Sequence, residues 1–121
     1  MRAGRRGERG AVTVYAMAVG SMLALIAAVI VQASTLIRLQ HEVTKAADLS
    51  ALAASQASAA GQDGCGAARF IARRNHAVVI RCRMDFDVAT VTTRGESRAV
   101  WGRNFGVERK ARAAPADYVG D

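Results

Sequence analysis

At 121 residues and 12.8 kDa, the chain has room for one membrane segment and one small domain at most. Hydrophobic residues make up 51% of it, yet 26 are Ala and six are aromatic, a composition that builds helices better than thick cores and excludes a large enzyme core. Two Cys, two His and one Pro leave little material for metal or nucleophilic chemistry, and the formal charge of +7 implies an anionic partner only if it gathers on a binding face.

Residues 1–10 form a basic leader, expected in the cytoplasm, in which Arg2, Arg5, Arg6 and Arg9 stand against Glu8, a net of +3. Charge then disappears for 27 residues, from Ala11 to Ile37. About 20 apolar residues cross about 30 Å of hydrocarbon, so Val12–Val31 suffices, and residues 11–37 are predicted to be a transmembrane helix. The basic flank predicts a cell-membrane protein of single pass, N-terminus cytoplasmic and everything after Leu36 extracytoplasmic. The alternative is a secretory signal peptide, with Val31-Gln32-Ala33 as a small-residue cleavage motif and Ser34 as the new N-terminus. Its apolar core exceeds the roughly 7 to 15 residues usual for such peptides, and nothing around Arg5-Arg6 strengthens a twin-Arg reading.

Within this span Ala16, Gly20, Ala24 and Ala28 recur at four-residue spacing, the small-xxx-small row that lets helix backbones approach closely in lipid. A lateral partner helix is one reading. The other is abundance, because Ala, Gly and Ser are 43 of the 121 residues.

No Gly or Pro interrupts Leu36 to Ala60. Leu36, Leu39, Val43, Ala46, Ala47, Ser50 and Ala54 fall on one face of a helix, and Arg38, His41, Glu42, Lys45 and Asp48 on the opposite third. Residues 38–60 are therefore predicted to continue the membrane helix as an amphipathic one. Leu49 and Leu52 break the polar arc, where the chain that follows is expected to fold back and cover them.

Gly61-Gln62-Asp63-Gly64-Cys65-Gly66 reads as a stop and turn; it lacks the Lys-Ser/Thr element of a phosphate loop. Ala67–Arg74 reads as a short helix with Ala67, Phe70 and Ile71 inward, Arg69 and Arg73 outward, and Asn75 as its stop. Val78–Arg83 alternates as a strand, with Val78, Ile80 and Cys82 set against Val79, Arg81 and Arg83, and a turn or bulge is expected at Met84–Asp87. The β-branched run Val88–Thr93 pairs back as a hairpin. Arg94–Ser97 is expected to be a loop, and Val107, Arg109, Ala111 and Ala113 to alternate along an edge strand. The expected fold class is thus α+β. A long N-terminal helix precedes a small extracytoplasmic domain over residues 61–114, built from a short helix and a β-hairpin or three-stranded antiparallel sheet, with residues 115–121 as a flexible tail.

Cys65 and Cys82 are the two thiols, both on the expected outer side, and a disulfide is their natural pairing. It would close a loop of 16 intervening residues, worth about 3 kcal/mol in the chain-entropy model. Two buried free thiols are the alternative. Zinc fits less well, because Cys65, Cys82, His41 and His76 lack any CxxC or HxxxH spacing.

Asp85 and Asp87 share a face if extended, as catalytic carboxylates might, but a hairpin turn accounts for them. His76 with Cys82 offers a base and a nucleophile, although His beside Asn at a helix end is more often a solvated cap. From Arg38 to Asp121 there are 13 basic and 9 acidic residues, a net of +4, scattered rather than interleaved with aromatics. Nucleic acid is not expected as a partner, nor is a small-molecule substrate or cofactor, and a solvated face accounts for the Arg excess better than lipid headgroups or an acidic envelope polymer.

The leader ending Arg-Gly-Glu-Arg-Gly, the run Ala-Val-Thr-Val that opens the apolar helix, the block Ala46-Ala47-Asp48-Leu49-Ser50-Ala51-Leu52-Ala53-Ala54 and the later Cys-plus-hairpin together resemble the TadE-like proteins of actinobacteria, encoded with Flp-type pilus and type II/IV secretion genes. The resemblance implies a pilin-like fold and a non-enzymatic pseudopilin or minor-pilin component of a tight-adherence secretion apparatus, with other membrane proteins of that apparatus as partners. One departure bears on processing. Gly10 stands where a prepilin peptidase would cut before Ala11, but the fifth residue after it is Tyr15 where such pilins usually carry Glu, which puts in doubt both the cut and the salt bridge that Glu makes in a fibre. A small secreted disulfide protein, released near Ala33, is the competing expectation.

Overall fold

A computed structural model describes residues 5–97 and 102–119; residues 1–4 of the leader and the last two of the tail lie outside the described residues. In chain order the elements are α1 (Arg5–Ala59), α2 (Gly64–Arg74), β1 (Val78–Asp85), β2 (Val88–Glu96) and β3 (Gly106–Ala113). Two compact units are present, Met1–Thr35 and Leu36–Asp121.

The first unit belongs to α1, a single helix of 55 residues. Its most apolar window has a mean hydropathy of 2.4 with none of its residues buried, so it is long and apolar enough to span a membrane. Three of its hydroxyls are turned back onto the helix. Ser21 donates to the Met17 carbonyl at 2.8 Å, and Ser34 and Thr35 both donate to the Val31 carbonyl, so these groups are satisfied by the helix itself.

In the second unit α1 ends at a Schellman turn, where Gly61 takes φ 73 and the amides of Gly61 and Gln62 bond the carbonyls of Ser58 and Ala57, both at 2.8 Å. α2 follows at once. It begins at Gly64, ahead of the expected Ala67, because Asp63 caps it by accepting from the Gly66 amide at 3.0 Å. Asn75 closes it, with its side chain donating to the Ile71 carbonyl at 2.9 Å. Ala68 and Ala72 form its buried face while Phe70 is 53% exposed, so the inward assignment of Phe70 is corrected: the smaller side chains let the helix lie closer to the sheet.

The three strands form an antiparallel meander in the order β1-β2-β3. Two departures from the expected strands have physical causes. The register shifts between Val79 and Arg81, a bulge that leaves Ile80 outside the regular pairing. As a result Val79, Cys82 and Met84 face the core, while Val78 and Ile80 are exposed. The second correction concerns Arg94–Glu96, expected as a loop, which extends β2 in register with β3; Gly95 there serves a close approach rather than a turn.

The core lies between the second half of α1 and the inner sheet face. Ala47, Ala51 and Ala54 of α1 and Ala68 of α2 cluster with Ala89, Val91 and Ala111, and Val79, Cys82, Met84 and Ala113 pack against them. Among the described residues no fully buried side chain is larger than Val43 or Val91. A core of methyl-sized pieces supplies little hydrophobic free energy by itself, and a staple is what such a small unit needs. It is present: Cys65 and Cys82 form a disulfide with their Cα atoms 5.9 Å apart, and it joins the start of α2 to the middle of β1.

Candidate interaction site

The disulfide removes the proposed nucleophile, since the Cys82 sulfur is bonded to Cys65. His76 turns the chain out of α2 with φ 57 and is exposed, as is His41. Asp85 and Asp87 flank the β1–β2 turn but are engaged separately, Asp85 with Arg83 at 3.0 Å and Asp87 with the Ser58 hydroxyl at 2.9 Å. Among the described residues no group of three His, Cys, Asp or Glu is placed to hold a metal ion.

Ala16, Gly20, Ala24 and Ala28 lie on α1 and are all exposed. A Cβ added at Gly20 would meet nothing within 4 Å. Gly10 and Ala11 are inside the same helix, as are Ala33 and Ser34, two residues before the second unit begins at Leu36.

Two surface features of the second unit stand out. The first is the tip of the β1–β2 hairpin. Asp85 pairs with Val88, leaving a two-residue connection in which Phe86 adopts φ 55 and is 98% exposed. The tip is clamped to the end of α1: the Ser55 hydroxyl donates to the Asp87 carbonyl at 2.7 Å, and the Ser58 hydroxyl reaches the Phe86 carbonyl at 3.2 Å and the Asp87 carboxylate. A bulky residue in left-handed backbone, buried against nothing in its own chain, is held there by its surroundings.

The second is a groove between α1 and α2 of about 300 Å³, lined by Leu49, Leu52, Ala53, Gln56, Ile71, Arg74 and Asn75. Leu49 and Leu52 remain 47% and 46% exposed, so the expectation that the following chain covers them is corrected. α2 reaches only their edge, because its buried face is the one turned to the sheet. Beside the groove the Arg74 guanidinium lies over the Phe70 ring at 5.7 Å. The break in the polar arc at Leu49 and Leu52 was the sequence signal for this groove; for the exposed Phe86 the one signal was an aromatic between two aspartates at a turn.

Comparison with protein-family models, with curated proteins and with solved structures gave no match to this chain.

Proposed function

We propose that this chain is a non-enzymatic, membrane-anchored structural subunit, pseudopilin-like or minor-pilin-like, of a Flp-type pilus or secretion assembly. The observation that carries the reading is α1 itself. One uninterrupted helix offers an exposed apolar surface in its first half and, from Val43 onward, a buried face of small residues that backs a stapled sheet. A helix that anchors at one end and is built into the folded unit at the other suits a subunit held in a bilayer before or during assembly. The TadE-like motifs give the pilus context. The basic leader favours a cytoplasmic N-terminus, and the disulfide favours an oxidising outer compartment.

Isolation of the tagged full-length chain from its native membrane, with in-cell crosslinking, tests this. Pilus or secretion membrane proteins should be recovered with it, and their consistent absence would overturn the assembly role. A reporter active only in the cytoplasm, fused after Asp121, should be silent; activity there would reverse the orientation.

A second reading is favoured by one observation: the second compact unit starts at Leu36, just past Ala33 and Ser34. Cleavage there would release that unit whole as a secreted protein. The mature N-terminus, read by mass spectrometry, distinguishes the fates, since Met1, Ala11 and Ser34 each correspond to a different one.

A further inference from the structure

The hairpin tip and the helix groove complement one another and cannot meet within one copy. At about 100° per residue, Ser55 and Ser58, which hold the tip, are turned about 120° around α1 from Leu49, Leu52 and Gln56, which line the groove. A contact between the two features is therefore a contact between copies.

We propose that Phe86 of one copy seats in the α1–α2 groove of a second copy of this chain, joining copies head to tail. Three observations select that occupant. The groove is apolar along Leu49, Leu52, Ala53 and Ile71, and its volume of about 300 Å³ accommodates one benzyl side chain. Phe86 is the most exposed large apolar residue described, at 98%, and it projects from a clamped backbone, so little ordering is lost when it docks. Charge agrees as well. Asp85-Phe86-Asp87 is the one place in the chain with two acids within three residues, whereas Arg74 borders the groove. The exposed Asp85 carboxylate beside the ring, whose partner within its own chain is the exposed Arg83, would meet the Arg74 guanidinium at the rim while the ring fills the apolar floor.

Because tip and groove are different surfaces, the contact is heterologous. Each copy keeps one free tip or one free groove after pairing, so the contact propagates rather than stopping at two. The inference deepens the reading of the chain as an assembly subunit and rests on it for its setting in the cell.

The test uses the purified full-length chain in phosphatidylcholine liposomes, with Gly20→Leu present throughout so that the membrane row contributes nothing. A photoreactive benzoylphenylalanine in place of Phe86 should crosslink to residues 49–56 or 71–75 of another copy, mapped by mass spectrometry. Crosslinks to lipid alone, or none between copies, would overturn the proposal. Phe86→Asn, which suits left-handed backbone, and Leu52→Glu, at a half-exposed position, should each keep the disulfide and weaken association in detergent by about 10- to 100-fold. Mixing the two variants should restore one junction and yield dimers that grow no further, since one intact tip and one intact groove remain. Unchanged association of either folded variant, or a mixture that behaves like the separate variants, would refute it. Because partner proteins are absent from this assay, its failure leaves recovery of secretion proteins from native membranes standing, and success there does not depend on it.

Discussion

Gly95 of β2 lies so close to Val43 of α1 that a Cβ added to it would overlap Val43 Cγ2, and two residues earlier the Thr93 hydroxyl donates to the Val43 carbonyl at 3.3 Å. The sheet thus rests almost on the helix backbone at this point. Gly95→Ala is expected to cost the second unit about 1–3 kcal/mol by overpacking, read as a lowered melting temperature. Val43→Ala in the same chain should return part of that loss, because it removes the methyl that clashes; strictly additive losses would show that the two residues do not share the contact.

The two thiols should resist alkylation in protein taken from its native envelope until a reductant is added. Replacing either Cys65 or Cys82 with Ser is expected to cost about 2–5 kcal/mol, a large share of the stability of so small a core, so the variant should be lost to proteolysis. The apolar half of α1 should still insert, since its backbone hydrogen bonds are internal. Thiols that alkylate rapidly without reductant would contradict the pairing.

Ser50 is fully buried and its hydroxyl has no hydrogen-bond partner among the described residues. Removing an unsatisfied buried hydroxyl removes a desolvation cost, and Ala is also the better helix former. Ser50→Ala should therefore raise stability by about 1 kcal/mol, measured by denaturant midpoint. A loss of stability would mean that the hydroxyl is bonded after all.

Phe86→Gly should also stabilise the folded unit, by about 0.5–1 kcal/mol, since Gly takes φ 55 without steric cost and the exposed ring gives up no burial. An unchanged or lowered melting temperature would place the ring against its own chain. Stabilisation by loss of Phe86 is what a side chain retained for contact with another molecule predicts.

Gly20→Leu should leave membrane insertion intact while abolishing close lateral approach of α1 to a partner helix. If crosslinking within the bilayer is unchanged by it, the row from Ala16 to Ala28 reflects an Ala-rich composition and nothing more.

Features set by local pattern were readable beforehand. The small-residue stripe from Val43 to Ala54 marked the buried face of α1 through its helical period, and the expectation that both thiols lie beyond the apolar helix in an oxidising compartment pointed to the disulfide. β3 was visible in the weak alternation from Val107 to Ala113. What escaped depends on three-dimensional fit. Ile80 alternates correctly with Val78 and Cys82, and only the bulge turns it outward. Phe70 has the hydrophobicity of a core residue, but Ala68 and Ala72 take the sheet because the space there is one methyl deep. Gly95 looks like a loop residue until the proximity of Val43 explains why no side chain fits. As for the candidate site, Leu49 and Leu52 drew notice as a break in polarity, whereas Phe86 was marked only by its place between two aspartates at a turn, and its exposure follows from the Ser55 and Ser58 clamp.

The Cys65–Cys82 bond encloses α2 and the first part of β1, and it leaves α1 and β3 outside the covalent loop. Tension applied along α1 would therefore bypass the staple and load the noncovalent seam in shear: Val43 against Thr93, Ser55 and Ser58 against Asp87, and the row of methyl groups between them. Such a seam yields before any covalent bond does. The stapled part would come away with its internal link preserved, and it could redock when the load ends. Mechanically, the bridge lies off the line of force, and its position leaves the grip of sheet on helix as the part that gives way first.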